Sequence, residues 1–376
     1  MNGHPEFPQA EGLIYLNHAA VAPWPERTAA AVQRFADENV RQGALHYGAW
    51  LETETRLREQ LRWLINAESA DDIALLKNTS EALSVVAYGL DWRGGDNVVI
   101  TDQEFPSNRI VWESLRSFGV ELRAANLNAG ATPEDAVMAM ADTRTRLISV
   151  SSVQYATGLR LDLDTLGNFC RSKNILFCVD AIQSLGALRF DARACRADFV
   201  MADGHKWMLG PEGLALFYCR PEIRERLRLQ QYGWHMTAGP HDFDHKEWRV
   251  AVDARRFECG SPNMLGIHAL HASLSLLQEI GMDTIERNVI NNARYIIDNI
   301  LDNSDFKLLT SSLERRHAGI VTFKYTPAEQ HALHAYLVRH GVICALRAGG
   351  IRYSPHFYTS TSQIETALRL VTGFVG

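Results

Sequence analysis

The sequence predicts an α/β protein with a mostly parallel, seven-stranded sheet in a large domain and a small C-terminal α+β domain. Three observations support this fold class. Between residues 73 and 220, short apolar runs alternate with segments that carry helix caps, as in a sheet covered by helices on both faces. Charged residues directly follow two of these runs. Residues 305–376 mix strand-like and helix-like runs, which is typical of a separate smaller unit.

Each element has its own signal in the sequence. The strands of the large sheet are predicted by apolar runs at residues 73–76, 98–100, 120–124, 147–150, 175–179, 199–202 and 214–219. Helix starts are indicated by Thr79-Ser80, Thr132-Pro133 and Asp164, and helix ends by Gly94-Gly95 and Gly119. Two helices, from about residue 25 to 39 and ending near residue 66, precede the sheet, and a long helical region with a break at Gly281 follows it.

We therefore expect four parts in the chain. They are an N-terminal segment at residues 1–24, a large domain at 25–262, a linking helical region at 263–304 and the small domain at 305–376. Residues 231–258 are rich in aromatic residues and histidine and show no periodicity. We interpret them as a functional loop or a dimer-contact segment.

Composition narrows the classes of function. The chain has 376 residues, 46% of them hydrophobic and 22% charged, with a formal net charge of −6. Because no basic run is present, we expect neither a nucleic-acid partner nor a membrane surface. No apolar run reaches the ~20 residues of a membrane span, and residues 1–11 lack a signal-peptide pattern, so we expect a cytoplasmic protein. The six cysteines include no C-x-x-C pair, which indicates reduced thiols.

An acidic and a basic residue follow neighbouring strand-like runs. Asp180 comes directly after residues 175–179, and Lys206 comes shortly after 199–202. In open α/β sheets ligands bind at the carboxyl ends of the strands. A lysine there can form a Schiff base with an aldehyde such as pyridoxal phosphate, while a carboxylate can keep the pyridine nitrogen protonated. For either residue alone, an ordinary surface charge is the alternative.

The turn Asn78-Thr79-Ser80 offers hydroxyl groups and backbone N–H groups at a strand-to-helix junction. Helix N-termini bind anions, so this turn could hold a phosphate. The alternative is that Thr79 or Ser80 only caps the helix.

Three motifs carry a resemblance to a known family. They are Val179-Asp180-Ala181-Ile182-Gln183, Ala202-Asp203-Gly204-His205-Lys206 and Gly210-Pro211-Glu212-Gly213. Together they resemble the class V aminotransferase family of fold type I pyridoxal-phosphate enzymes, which includes cysteine desulfurases, selenocysteine lyases, isopenicillin N epimerase and kynureninase. The resemblance extends from Tyr15 to Tyr358 and implies pyridoxal 5′-phosphate as the cofactor.

The resemblance implies roles for the residues at matching positions. Lys206 would form the Schiff base, Asp180 would face the pyridine nitrogen, and Gln183 would donate to the phenolic oxygen. The positions expected around the phosphate are Thr79, Ser80, Asp203 and His205. Asp203 departs from the family pattern, because many desulfurases have serine there, and a carboxylate would repel a phosphate unless it points away or accepts from a donor. Phe105 stands where desulfurases have a ring-stacking histidine, and it cannot relay protons.

The resemblance also implies an amino-acid substrate and a homodimer. Arg352 matches the arginine that binds the substrate α-carboxylate, and Asn17 and Gln154 would border the same pocket. Ser261 and Asn263 lie in a segment that reaches the phosphate of the neighbouring subunit in relatives, so we expect active sites shared between two subunits.

The sequence leaves the reaction open. A persulfide-forming desulfurase needs a mobile cysteine before Arg352, but residues 348–351 contain none, and Cys344 falls on the preceding strand. We therefore expect aminotransferase or carbon–sulfur lyase chemistry, with epimerisation, racemisation or kynureninase-like hydrolysis as alternatives. Persulfide-forming desulfuration is less favoured. So is a non-catalytic relative, because Lys206, Asp180 and Arg352 are intact. A nucleotide-binding enzyme is disfavoured, since neither G-x-G-x-x-G nor G-x-x-x-x-G-K occurs.

Overall fold

The computed structural model describes residues 4–239, 244 and 246–374. A short strand, β1 (Ile14–Tyr15), and two helices, α1 (Glu26–Gln42) and α2 (Tyr47–Ile65), precede the large sheet. The sheet strands are β2 (Ile73–Leu76), β3 (Asn97–Thr101), β4 (Glu121–Ala125), β5 (Thr145–Ser151), β6 (Leu176–Asp180), β7 (Phe199–Asp203) and β8 (Ala215–Cys219). The helices among and after them are α3 (Thr79–Gly89), α4 (Ser107–Glu113), α5 (Pro133–Ala139), α6 (Leu163–Lys173) and α7 (Pro221–Arg224).

The large sheet has the strand order β2-β8-β7-β6-β5-β3-β4. Every neighbouring pair from β7 to β4 is parallel, whereas β8 runs antiparallel to both β7 and β2. The predicted mostly parallel, seven-stranded sheet is therefore confirmed. Since β6 and β7 are adjacent and parallel, the residues that follow them meet at one edge of the sheet.

Apolar side chains cover the sheet on both faces. Strands β2, β3, β6, β7 and β8 are buried at every residue, which explains their continuous apolar runs. One core cluster includes Leu57 of α2 and Leu61, and the other includes Leu83 of α3 and Trp112 of α4. Two helical layers thus hold the sheet rigid beneath the strand ends.

A second sheet follows two long helices. Helices α8 (Met264–Ile280) and α9 (Met282–Leu301) meet at Gly281, whose φ of 82° ends the first helix at the predicted break. The remaining strands are β9 (Phe306–Leu308), β10 (Val321–Tyr325), β11 (Val342–Ile343), β12 (Ala345–Arg347) and β13 (Gly350–Tyr353). Helices α10 (Gln330–Arg339) and α11 (Thr361–Thr372) accompany them. Strands β12, β13, β10 and β9 form an antiparallel sheet in that order.

The start of the chain pairs with its C-terminal part. Strand β1 runs parallel to β11, and Asn17 forms an isolated bridge with Ser354. Because of this pairing, the loop after β1 lies at the strand ends of the large sheet. Of the helices in the described residues, none is at once long and apolar enough to traverse a bilayer.

Candidate active site

A cavity of about 290 Å³ lies at the carboxyl ends of β6 and β7. Besides the strand ends, its walls include the loop after β1, the start of α3, the turn between β3 and α4, and the β12–β13 hairpin. The predicted residues that line it are Thr79, Ser80, Phe105, Asp180, Gln183, Asp203, His205, Lys206 and Arg352. Tertiary folding thus brings together residues that lie up to 273 positions apart in the chain.

Lys206 sits in this cavity as a partly buried amine. Desolvation lowers its pKa from 10.5 to about 8, and the charges of Arg352 and Arg347 act in the same direction. Asp180 and Asp203 oppose the shift. The lysine Nζ lies 5.5 Å from the centroid of the Phe105 ring. A larger fraction of the amine is therefore neutral near pH 7, and only the neutral amine attacks an aldehyde.

Asp180 is the last residue of β6 and is 2% exposed. Within the described chain its carboxylate accepts one hydrogen bond, from the backbone N–H of Ile182 at 3.1 Å. Burial raises the pKa of Asp180 to about 7, although that hydrogen bond and the positive charge of Lys206 lower it. A buried carboxylate with so little compensation suits a protonated ring nitrogen as its partner.

Thr79 and Ser80 form the first turn of α3. The side chain of Asn78 caps the helix by accepting from the N–H of Glu81. Thr79 Oγ1 accepts from the N–H of Asp203 at 3.2 Å, so its own proton is free for another acceptor. Helix N-terminus and hydroxyl groups together make this end of the cavity a place for a phosphate.

Asp203 and His205 face each other beside this helix terminus. Asp203 Oδ1 lies 3.0 Å from His205 Nδ1, but the two are not aligned as a hydrogen bond, and neither atom has another partner in the described chain. The Asp203 carboxylate therefore lies against an imidazole. This orientation accounts for an acidic residue at a position where a phosphate would otherwise be repelled.

Gln183 links two parts of the site. Its Oε1 accepts from Trp207 Nε1 at 2.9 Å, and its Nε2 donates to the carbonyl of Ala19 at 3.1 Å. The second N–H of the amide is left for a ligand in the cavity. The N–H of Ala22 also donates to the carbonyl of His205, so the loop after β1 is held against the Lys206 segment.

Arg352 is a buried cation without a carboxylate partner among the described residues. It is 1% exposed; Nη1 donates to the carbonyl of Tyr155 at 2.7 Å, Nη2 donates to Asn17 Oδ1 at 3.3 Å, and Nε has no partner in the described part of the chain. Desolvation, with the nearby charge of Arg347, lowers the pKa of Arg352 to about 9. An anionic ligand would relieve this uncompensated charge.

Four predicted residues lie outside the cavity lining. Asn17 does not line the cavity itself, but its Oδ1 accepts from Nη2 of Arg352, which does. Gln154 is fully buried behind it, where Nε2 lies 3.4 Å from Glu104 Oε1. Asn263 caps α8 and donates to the carbonyl of Gly213 at 3.2 Å, and Ser261 does not line the cavity of its own chain. The expected contact of Ser261 and Asn263 with a partner's phosphate stays a prediction.

Sequence reasoning missed Arg347, which also lines the cavity. The register pairs Arg347 with Gly350 and Ala345 with Arg352, so both arginines point from the same face of the sheet. In the described residues Arg347 has no ion pair, and its Nη1 donates only to the carbonyl of Leu346. In the sequence, Arg347 could have been predicted from its position, since it and Arg352 flank a short turn that contains Ala348 and Gly349.

Glu104 is a second residue that sequence reasoning missed. Its buried carboxylate accepts from Ser151 N–H and Oγ, from Thr101 Oγ1 and from Asn108 Nδ2. Burial raises its pKa, and these hydrogen bonds lower it. They fix the turn that places Phe105, whose ring packs edge to face on Tyr155 at 5.1 Å.

The donor set fits pyridoxal phosphate. A low-pKa lysine suits the aldehyde, a buried carboxylate suits the ring nitrogen, and a helix N-terminus with the free hydroxyl proton of Thr79 suits the phosphate. The fold and the site are those of a fold type I pyridoxal-phosphate enzyme.

Comparison with known proteins names the family. The family model for aminotransferase class V matches residues 14–370. A probable cysteine desulfurase of Methanothermobacter thermautotrophicus is 29% identical over 96% of this chain and 94% of its own length. The uncharacterized aminotransferase YcbU of Bacillus subtilis is 28% identical over 96% of this chain and 94% of its own length.

A solved structure agrees with these matches. The apo structure of a cysteine desulfurase from Thermococcus onnurineus superposes with a TM-score of 0.84 and 25% identity, covering 96% of this chain and 95% of the other. This chain belongs to the class V aminotransferase family and is a pyridoxal-phosphate-dependent enzyme.

Proposed function

We propose that this enzyme cleaves a carbon–sulfur bond of a sulfur-containing amino acid and releases the sulfur without first storing it on its own cysteine. The observation that carries the proposal is the β12–β13 hairpin, which crosses from Arg347 to Gly350 through Ala348 and Gly349 alone. No cysteine lines the cavity among the described residues. Transamination is the second candidate, because one full-length relative is named an aminotransferase.

The names of the relatives support a sulfur-containing substrate. The Methanothermobacter thermautotrophicus protein is named a probable cysteine desulfurase, and it aligns with nearly the whole of this chain. Cys344 is the cysteine next to the hairpin in sequence, and it is buried. Burial raises the pKa of its thiol to about 12, so it is a poor nucleophile at neutral pH. The site thus suits a substrate of the desulfurase class but lacks a reactive cysteine thiol to accept its sulfur.

The substrate carboxylate would bind Arg352. The Nε group is free, and both Nη groups are held by Tyr155 and Asn17, so the guanidinium is already oriented when the carboxylate arrives. The second N–H of Nη2 remains available for a paired contact with the carboxylate. Arg347 adds positive charge at the same wall of the cavity.

Lys206 would move the α-proton. When bound, pyridoxal phosphate draws electrons away from the substrate α-carbon. Asp180 would keep the ring nitrogen protonated, and Gln183 would donate its free N–H to the phenolic oxygen. The neutral Nζ of Lys206 would accept the α-proton of the substrate. Thr79, Ser80 and His205 would hold the phosphate.

The wall formed by Phe105 favours a leaving group that needs no acid. A thiol has an ordinary pKa of ~8.5, so sulfur can depart as a thiolate. Phe105 has no proton to donate, whereas a hydroxide leaving group would need a proton donor. This difference favours sulfur at the β-carbon over oxygen.

Product analysis tests the proposal. Purified, cofactor-loaded enzyme is incubated with single amino acids, including cysteine and cystine. β-Elimination from cysteine consumes one water and yields pyruvate, ammonia and sulfide in equal amounts. The reaction should be absent in Lys206→Ala. Keto acid formed only when an amino acceptor is present would show transamination instead. Alanine together with a protein-bound persulfide would show that the hairpin argument is wrong.

We also propose that two chains share their active sites. Ser261 and Asn263 lie outside the cavity of their own chain. Their side chains would instead contact the cofactor phosphate bound in the partner subunit. Light scattering should report a dimer. The double variant Ser261→Ala, Asn263→Ala should retain the cofactor less well, although Thr79 and Ser80 are unchanged in it. A monomer that retains cofactor and activity would rule the shared site out.

A further inference from the structure

A buried cluster far from Lys206 joins three segments of the chain. Glu54 of α2, His235 of the 231–238 segment and Glu258 are each no more than 6% exposed, and none of them lines the cavity around Lys206. Their nearest ligand-type atoms, one from each side chain, all lie within 4.8 Å of one another. Two buried carboxylates and a buried imidazole at such distances need compensation from a cation.

Arg58 supplies part of that compensation. It bonds Glu54 Oε1 at 2.5 Å, Glu258 Oε1 at 2.7 Å and Glu258 Oε2 at 2.8 Å. The N–H of Leu75 also donates to Glu258 Oε1, which fills both acceptor positions of that oxygen. Glu258 Oε2 keeps one free lone pair, and Glu54 Oε2 has no partner among the described residues. The two glutamates and Arg58 together carry one excess negative charge.

The imidazole of His235 lies beside the Glu258 carboxylate. Its Nδ1 is buried and has no hydrogen-bond partner in the described chain, yet it lies 3.5 Å from Glu258 Oε2. A charge-assisted N–H···O bond would be shorter, at ~2.7–2.9 Å. In a tetrahedral site with metal–ligand bonds of ~2.0–2.1 Å, neighbouring ligand atoms are about 3.3 Å apart. The observed separation is therefore closer to that of two ligands of one metal ion.

An entry path for a cation adjoins the cluster. Glu54, Arg58 and His235 line a second cavity, of about 310 Å³. The other charged residues of its lining are Glu59, Asp71, Asp253 and Arg255. Acidic groups outnumber basic ones there, so the cavity draws cations and disfavours anions.

We propose that Glu54, His235 and Glu258 bind a divalent transition-metal ion of the Zn²⁺ type. One nitrogen and two oxygen ligands suit such an ion, and the adjacent cavity leaves room for water at the remaining position. Arg58 stays on the other lone pairs of the carboxylates and orients them. The ion would fasten the 231–238 segment to α2, which makes the site structural and separate from the reaction at Lys206.

Metal titration of the full-length, cofactor-loaded protein tests the site. The protein is freed of metal with a chelator and titrated with Co²⁺, whose visible absorption reports coordination, and then with Zn²⁺ as competitor. We expect one Co²⁺ per chain, displaced by Zn²⁺, and a higher melting temperature with Zn²⁺. Glu54→Gln keeps an acceptor for Arg58 but loses a ligand charge, and His235→Gln removes the nitrogen ligand; each should weaken binding at least tenfold.

Glu59→Gln is the matched control, since it removes one negative charge from the same cavity without removing a ligand. It should bind Co²⁺ as the unmodified protein does. The proposal is overturned by any of three results: no saturable binding, unchanged binding in both Glu54→Gln and His235→Gln, or an equal loss in Glu59→Gln. The first result would mean that Arg58 alone compensates the two glutamates.

Discussion

Capture of pyridoxal phosphate by the apoprotein should accelerate as the pH rises through about 8 and then level off. Lys206 must lose its proton before it attacks the aldehyde, and its pKa is lowered from 10.5 to about 8 mainly by desolvation. At pH 7 a group with a pKa of 8 is ~9% neutral, against ~0.03% at 10.5. The pocket therefore raises the reactive fraction about 300-fold.

Two substitutions should move this midpoint in opposite directions. Asp180→Asn removes a negative charge that raises the pKa of Lys206, so the midpoint should fall below that of the unmodified protein. Arg352→Leu removes a positive charge that lowers the pKa, so the midpoint should rise. Because both variants keep Lys206, they separate the charge environment from the loss of the amine itself.

The assay is stopped-flow mixing of apoprotein with excess pyridoxal phosphate, followed by the visible absorption of the Schiff base from about pH 6 to about pH 10.5. An N-acetylated lysine measured in parallel corrects for titration of the cofactor and should show the ordinary lysine midpoint. A midpoint near 10 in the unmodified protein, or shifts of the same sign in both variants, would refute the electrostatic reasoning.

Three further predictions concern single residues of the site. The pKa of Asp180 is raised by burial from 3.8 to about 7, so its contribution to apoprotein stability is present below about pH 4 and lost as the pH rises towards 7 and beyond. In urea unfolding, the free energy of unfolding of Asp180→Asn apoprotein, relative to that of the unmodified apoprotein, should therefore increase by up to ~4 kcal/mol between these limits. A difference that does not change with pH would contradict this. Arg352→Leu should raise KM about 100-fold with a smaller change in kcat, because two charge-assisted hydrogen bonds to the substrate carboxylate are lost; an unchanged KM would place the carboxylate elsewhere. Arg347→Met should raise KM about tenfold for amino acids with an anionic side chain and little for neutral ones, and equal effects would assign Arg347 no part in selectivity.

Much of the site was readable in the sequence because strand ends are local features. Asp180 and Lys206 follow apolar runs, and a parallel sheet gathers whatever follows its strands at one edge. Thr79 and Ser80 follow the same logic at a strand-to-helix turn. Arg352 lies on a strand of the other sheet, and only the family motif indicated its place in the site.

Other features depended on contacts that no local pattern encodes. The pairing of β1 with β11 joins segments more than 300 residues apart, and it brings Asn17 to Arg352. Arg347 and Arg352 lie on the same face of the sheet because of the register of the hairpin. That register is set by the Ala348-Gly349 turn, in which both residues have positive φ. Gln154 was predicted beside the substrate but is buried behind the cavity lining.

By itself, the sequence determined which segments are strands and helices, where the large sheet presents charge, and which cofactor that charge suits. These properties depend on apolar periodicity, on caps and on residues next to each other in the chain. Tertiary structure alone decided how side chains are oriented and partnered: the carboxylate of Asp203 lying against His205, the free Nε of Arg352, and the cluster of Glu54, His235 and Glu258. The reason is physical, since a rotamer and its partners are fixed by neighbours that only the folded chain brings within a few ångströms.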